Sequence, residues 1–382
     1  MFIEELEQLT LPLQLADGDA GFQDLLEDPD WVATEKDYHP TVLIPKRTGG
    51  MRKIQEPLPG LKKLQTLIAR ELGRLYGPSK YAHAFIRKKP GRERNLRSNA
   101  QPHMGHKYLL KIDLKDFFPS CTPKVVGEAL RYDVDIPDWL FALVMRACFL
   151  DGGLPQGAPS SPMLSNIAAR QLDYRIARLC EAWRREPMDG CAPFRRPRMD
   201  PIAYTRYADD ITISSNYDLP PKEVRRRLQR GMNVSRRNRD RRVWALHNIL
   251  HPIRVIVEDC DFKIKEKKTK KFKAPQRLEV CGVVVGQDTV NARRRQRRYW
   301  RGRIHRMIMD IEEGKVPPGH FRDKEGNVRK ITRRGFKKVQ GKIAAICAVS
   351  PQLKPYFFGG KDEKGETWRG ELKHLRTLCR RS

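Results

Sequence analysis

Ala203-Tyr204-Thr205-Arg206-Tyr207-Ala208-Asp209-Asp210-Ile211-Thr212-Ile213-Ser214-Ser215 is the stretch that decides the fold. It alternates around two adjacent aspartates and reads as a β-hairpin with the acidic pair at its tip. Alone, Asp-Asp is a common polar turn, because Asp favours turns. Carboxylates repel one another, however, and seating them beside a core is costly unless cations compensate them. A further aspartate, Asp113, ends an upstream apolar strand, Tyr108-Leu109-Leu110-Lys111-Ile112-Asp113. A hairpin tip lying opposite that strand end brings Asp113 and Asp209 to one point. Such a site suits two hard cations about 3.5–4 Å apart. Magnesium fits, since it prefers oxygen ligands and needs few of them from the protein.

The chain has 382 residues, a formal net charge of +30 and 39% apolar residues. That is enough apolar material for a sizeable core, so this is no basic disordered tail. A folded surface this basic meets polyanions, nucleic acid first among them. A membrane partner is not expected: no basic amphipathic helix or lipidation motif stands out. The longest apolar run, Trp139 to Leu150, is short and is interrupted by Arg146, whereas a span needs about 18 residues. Glu4, Glu5 and Glu7 stand where a signal peptide would be basic. The eight cysteines are scattered, without the close pairs of zinc or thioredoxin chemistry. Reduced, mostly buried thiols in a cytoplasmic protein are the expectation.

Three regions are expected: an N-terminal helical segment over 1–35, a mixed α+β body over 36–285, and a basic helical region with a C-terminal extension over 286–382. In the body, Thr41 to Pro45, Thr48-Gly49-Gly50 and Arg52 to Ile54 read as strand, turn and strand, with cations at the tip. Leu61 to Leu75 carries a helical period, and Trp139 to Phe149 reads as a helix. Ser165 to Trp183 reads as one long helix, 184–201 as a surface insertion, and 222–242 as a strongly basic helix or helix pair. Val255 to Ile264 and Leu278 to Val285 read as strands. Past about 345 no motif is legible.

The order of these blocks resembles a reverse transcriptase over residues 40–290. Lys111-Ile112-Asp113-Leu114-Lys115-Asp116-Phe117-Phe118-Pro119-Ser120 resembles the first palm motif, and Gly153-Leu154-Pro155-Gln156-Gly157-Ala158-Pro159-Ser160-Ser161-Pro162 the next. Tyr207 to Asp210 resembles the metal-binding hairpin, and Phe262 to Thr269 the lysine block. The resemblance implies a right-hand polymerase of fingers, palm and thumb, α+β, with a mixed palm sheet and a helical thumb. It implies that Asp113, Asp209 and Asp210 hold two Mg2+ ions. It places Phe118 against the sugar edge, where a ring leaves no room for a 2′-hydroxyl and selects deoxynucleotides. Gln156 would meet the incoming nucleotide, and Lys46 and Arg52 would grip its triphosphate. Lys268 is the candidate proton donor to pyrophosphate, with Lys265, Lys267, Lys270 and Lys271 as neighbours.

Asn99-Ala100-Gln101-Pro102-His103 resembles the Asn-Ala-x-x-His motif of retron reverse transcriptases, and His83-Ala84-Phe85 the preceding fingers block. Their second mark, Val-Thr-Gly, stands here as Val280-Cys281-Gly282, where a thiol replaces a hydroxyl of similar volume. A retron enzyme would bind its own structured noncoding RNA, of the msr-msd type. It would start from a guanosine 2′-hydroxyl and copy part of that RNA into covalently attached single-stranded DNA. Its setting would be antiphage defence, beside a separate effector protein. Asn99, His103 and the Val280–Gly282 triplet are therefore expected at the RNA, with Arg294, Arg297 and Trp300 of the basic helical region on the template–primer duplex. Two other readings are a group II intron-type reverse transcriptase and a silent RNA-binding scaffold. The first usually carries a longer maturation region; the second would not need all three aspartates, Gln156 and Phe118.

Overall fold

The computed structural model describes residues 30–46, 49–87, 93–185, 201–216, 241–317, 320–323, 326–330, 332–358, 360–361, 367–368 and 370–380. Most of the expected N-terminal helical segment, the insertion and the basic stretch before residue 241 lie outside the described residues. The chain divides into two compact units, Met1–Asn95 with His106–Lys273, and Leu96–Gly105 with Ala274–Ser382. The sequence places a division at 285/286. In the structure it falls after Lys273, and the segment carrying Asn99 and His103 groups with the later unit.

The first unit opens with strands β1 (Val42–Pro45) and β2 (Met51–Ile54), an antiparallel hairpin. Helix α1 (Pro59–Leu75) follows, begun by a proline whose missing N–H costs nothing there. It buries Leu61, Leu64, Ile68 and Leu72, the face that its apolar period defines. Next come β3 (Tyr108–Asp113), α2 (Pro123–Asp133) and α3 (Asp138–Ala147). Then α4 (Ser161–Ala168) and α5 (Arg170–Arg185) lead to β4 (Ile202–Tyr207) and β5 (Asp210–Ser215). Helix α6 (Arg241–Asp259) and β6 (Lys270–Lys273) complete the unit. The sheet order is β4-β5-β3-β6. Its core includes Ile112, Ile211, Ile213, Leu164, Ile167, Leu172, Ile176 and Phe262.

Three expectations need correction. The sheet expected to be mixed is antiparallel at every strand pair; the one parallel pairing among the described residues is an isolated bridge, Ala82 to Arg206. The helix expected from Ser165 to Trp183 is two helices, broken at Ala169, whose ψ of 7° leaves the helical range. No Gly or Pro marks that break. Val255 to Asp259, expected as strand, belongs to α6, where Leu250, Ile253 and Val257 are buried at helical spacing. The β-branched run misled because β propensity yields to burial on a helix face.

In the second unit, β7 (Leu278–Val280), β8 (Val283–Val285) and β9 (Val290–Ala292) form a three-stranded meander. Helices α7 (Arg294–Glu312), α8 (Arg333–Val349) and α9 (Glu371–Arg380) follow, with two short hairpins between them. Ile304, Met307, Ile308, Ile311, Ile343, Cys347, Phe357, Leu372 and Leu375 make a separate core. Residues past 345, unreadable as motif, thus supply part of that core. Among the described residues no helix is long and apolar enough to cross a membrane.

Candidate polymerase site

The three aspartates meet. Asp113, last in β3, lies directly opposite Asp210, first in β5. Asp209 sits in the two-residue turn between Tyr207 and Asp210, which face each other across β4 and β5. Its carbonyl accepts from Leu114 N–H at 3.0 Å, tying the turn to the strand that carries Asp113. Ala208, the first turn residue, has φ of 57°, a left-handed conformation. Asp113 is buried. Burial, then the charges of Asp210 and Asp113, push the Asp209 carboxyl up to about 6.

Lys268 Nζ stands 2.7 Å from Asp113 Oδ2. That hydrogen bond holds its ammonium above the usual lysine range. The lysine is placed by backbone: Lys265 N–H donates to the Asp113 carbonyl, and Lys268 N–H to that of Lys265. Lys270 and Lys271 are in β6, paired with β3 at Lys111 and Leu110. Geometry therefore separates Lys268 from its neighbours.

Among the described residues no group of three or more His, Cys, Asp or Glu side chains forms a ready metal cage. The donor set nevertheless fits Mg2+, being all oxygen and gathering like charge that, with burial, raises Asp209 even beside Lys268. Magnesium takes few carboxylates and completes its shell with water and phosphate, so an open site is what it requires.

The blocks around the carboxylates are stitched together by backbone. Leu154 N–H donates to the Phe118 carbonyl at 3.2 Å, and Gln55 N–H, just past β2, to that of Gln156 at 2.8 Å. Asp151 accepts from Lys53 Nζ at 2.5 Å and from Gln55 Nε2 at 3.0 Å. Gly157, at φ of 128°, approaches Gln55 so closely that a Cβ would lie 2.7 Å from its carbonyl oxygen. That close approach is why glycine follows Gln156. Phe118 packs on buried Phe117, with centroids 5.8 Å apart, and on exposed Phe85 at 6.0 Å. Lys46 is half-buried and Arg52 exposed at the far end of the β1–β2 hairpin, where Lys46 N–H bonds the Gly50 carbonyl at 2.8 Å.

Asn99 and His103 are buried within the chain. Asn99 Nδ2 lies 3.4 Å from Cys281 Sγ, so the two motif segments, far apart in sequence, meet in the second unit. Cys281 and Gly282 form a two-residue turn between Val280 and Val283, with φ of 47° and 82°. Positive φ at both positions is the primed hairpin turn that matches strand twist. Both side chains are fully buried in this chain, and Asn99 is set against the Cys281 thiol. Arg294 is exposed, and Arg297 and Trp300 are half-buried, on the basic first turns of α7. Trp300 packs edge-on against Tyr299 at 5.3 Å.

Sequence reasoning missed Arg206, Asp173 and Asn166. Arg206 and Asp173 have no exposed surface, and their side chains pair at 2.7 Å. The signal was available: in β4, Tyr204 and Arg206 share a face by period two, so an arginine had to point where a tyrosine is buried.

A strand-end aspartate facing an Asp-Asp hairpin, beside a lysine, defines a nucleotidyl-transfer class of site. A family model described as reverse transcriptase (RNA-dependent DNA polymerase) matches residues 44–285, and the chain belongs to that family. Within it the chain is of the retron type. It is 35% identical over 182 residues to the retron Ec83 reverse transcriptase of Escherichia coli, covering 45% of this chain and 51% of that one. To the retron Ec86 reverse transcriptase of Escherichia coli it is 31% identical, covering 68% and 66%. To the retron Mx65 reverse transcriptase of Myxococcus xanthus it is 29% identical, covering 70% and 56%. The chain thus spans about half to two thirds of the length of these relatives.

Proposed function

We propose that this chain is the RNA-directed DNA polymerase of a retron. It binds a structured noncoding RNA of the msr-msd type, starts from a guanosine 2′-hydroxyl, and copies part of that RNA into covalently attached single-stranded DNA. The observation that carries this reading is Asp113 facing Asp210 with Asp209 tied beside them. The meeting of Asn99 with Cys281 supports the retron type over a group II intron-type enzyme.

Asp113, Asp209 and Asp210 would hold two Mg2+ ions, which when bound supply Lewis acidity to the attacking hydroxyl and the leaving pyrophosphate. Lys268 keeps a proton on Nζ and delivers it to the pyrophosphate; until substrate arrives it neutralises Asp113. The Phe118 ring, braced by Phe117 and Phe85, excludes a 2′-hydroxyl. Gln156 meets the incoming deoxynucleotide, and its carbonyl is fixed by Gln55 at the base of β2. Lys46 and Arg52 grip the triphosphate from the hairpin tip. In this reading β1–β2 belongs to the fingers, the four-stranded sheet to the palm and α7 to the thumb, where Arg294, Arg297 and Trp300 meet the duplex. The biological setting is antiphage defence in the bacterial cytoplasm, with a separate effector protein.

Primer extension on an RNA template tests the polymerase. Asp113→Asn or Asp209→Asn lowers the rate by roughly a thousandfold, equivalent to about 4 kcal/mol of barrier. Wild type no faster than these variants would leave the silent scaffold standing. Nucleic acid copurifying with the protein tests the retron: a branched RNA–DNA molecule, lost in Asp209→Asn, is expected. Efficient extension of unrelated templates with no branched product would move the chain out of the retron class.

A further inference from the structure

The carboxylate turn is not held by its own strands alone. Ala208 has a left-handed backbone, which costs a non-glycine residue roughly 1 kcal/mol or more. Its carbonyl accepts from Arg206 Nη1 at 3.1 Å. The same nitrogen reaches Asn166 Oδ1 at 3.2 Å. Nε and Nη2 of Arg206 form a fork on Asp173, at 2.7 and 2.9 Å. Tyr204, two residues back on the same strand face, donates its hydroxyl to Asp173 Oδ1 at 2.6 Å. Arg206 also passes its backbone to the segment before Phe85: its N–H donates to the Tyr81 carbonyl, and its carbonyl accepts from His83 N–H. Asn166 Nδ2 closes the ring on the Ala84 carbonyl at 2.9 Å. Asn166 comes from α4 and Asp173 from α5, on opposite sides of the break at Ala169. The Arg206 guanidinium therefore joins two helices and the carboxylate turn, while its backbone and the Asn166 amide hold the chain leading to Phe85.

A buried ion pair adds little stability compared with an apolar pair of the same shape. What it supplies is a fixed fork geometry, which an apolar pair cannot impose on a carbonyl. We propose that Arg206, with Asp173 and Asn166, is a positioning centre for the Asp209–Asp210 turn. It sets where the carboxylates stand, and through them the affinity for divalent cation. The proposal rests on the polymerase reading above, where those aspartates hold magnesium.

Two variants test it in the full chain. Arg206→Met with Asp173→Leu replaces the pair by apolar side chains of similar size. Arg206→Lys keeps the charge opposite Asp173, but its single ammonium cannot fork the carboxylate and hold the Ala208 carbonyl together. Folding is monitored by circular dichroism and thermal unfolding. Two readouts follow: the Mg2+ concentration giving half-maximal primer extension, and Mn2+ binding by electron paramagnetic resonance without substrate. The expected result is a folded protein whose half-maximal Mg2+ rises about tenfold, whose kcat falls, and whose KM for deoxynucleotide at saturating Mg2+ stays within about twofold. Mn2+ binding weakens in parallel. If the double variant does not fold, Arg206→Lys decides alone. A folded variant with wild-type Mg2+ dependence and Mn2+ affinity overturns the proposal. If wild type extends no primer yet Mn2+ binding still weakens in the variants, the polymerase reading fails and the positioning role survives.

Discussion

Two hairpins in this chain share a plan and differ in what stands behind them. Each joins antiparallel strands by a two-residue turn with a left-handed first residue, Ala208 in one and Cys281 in the other. The first presents two aspartates and is backed by a fully buried arginine–aspartate fork. The second presents a thiol and glycine, and Asn99 donates a long hydrogen bond to its sulfur. A turn that crowds negative charge needs rigid, charged support from the core. A turn that carries no acidic pair can close on backbone preference with a neutral contact beside it.

Stripping the support from each turn should therefore give unequal losses. Asp173→Leu leaves the Arg206 charge buried without its carboxylate and should cost about 3–5 kcal/mol. Asn99→Ala removes a neutral buried amide and should cost about 1–2 kcal/mol. Hydrogen exchange in each unit separates the two, since a two-unit chain need not unfold in one step. Equal costs would show that the two supports are of one kind.

The Asp209 carboxyl is pushed from 3.8 to about 6 in the folded protein by burial and its acidic neighbours. Between those values the folded form binds more protons than the unfolded one, so metal-free stability falls as pH rises from about 4 to about 6. The deficit then stays constant at higher pH. Asp209→Asn removes it. In EDTA at pH 7.5 the variant should be more stable than wild type by roughly 1–3 kcal/mol, an advantage that shrinks toward pH 4.5. The same variant should lose polymerase activity, the usual opposition between a strained site and stability. A variant less stable than wild type at pH 7.5 would mean that the turn does not store repulsion.

This contrast also marks how far the sequence could be read. Strand β3, the β1–β2 and β4–β5 hairpins and the convergence of Asp113 with Asp209 and Asp210 were legible, because period-two patterning and turn residues act locally; Leu278–Val285 read as strand without its turn. Lys268 could not be separated from Lys265, Lys267, Lys270 and Lys271, since a lysine run has no phase; backbone bonds from Lys265 to Asp113 bring its ammonium to that carboxylate. The break at Ala169 was illegible because tertiary contacts with no local breaker impose it. It leaves Asn166 and Asp173 on separate helices around Arg206. The C-terminal region was read as basic and helical, but its core was not. Its core positions, from Ile304 to Leu375, are spread over three long helices and the segments between them, with no motif to link them.

The smallest predicted effects belong to the second turn and test whether backbone alone holds it. Gly282 has φ of 82°, and a Cβ there would meet nothing within 4 Å. Gly282→Ala thus isolates the left-handed penalty, about 1–2 kcal/mol, with no clash added. Cys281→Thr sets two small terms against each other. A hydroxyl accepts from Asn99 Nδ2 more strongly than sulfur does, a gain of about 0.5–1.5 kcal/mol. A β-branched residue at φ of 47° is strained, by an amount of the same order. The net change should stay within about 1 kcal/mol, read by urea unfolding of the second unit. A larger gain would mean that the side-chain bond governs this turn, and its kinship with the Asp209 turn would then extend to how it is held.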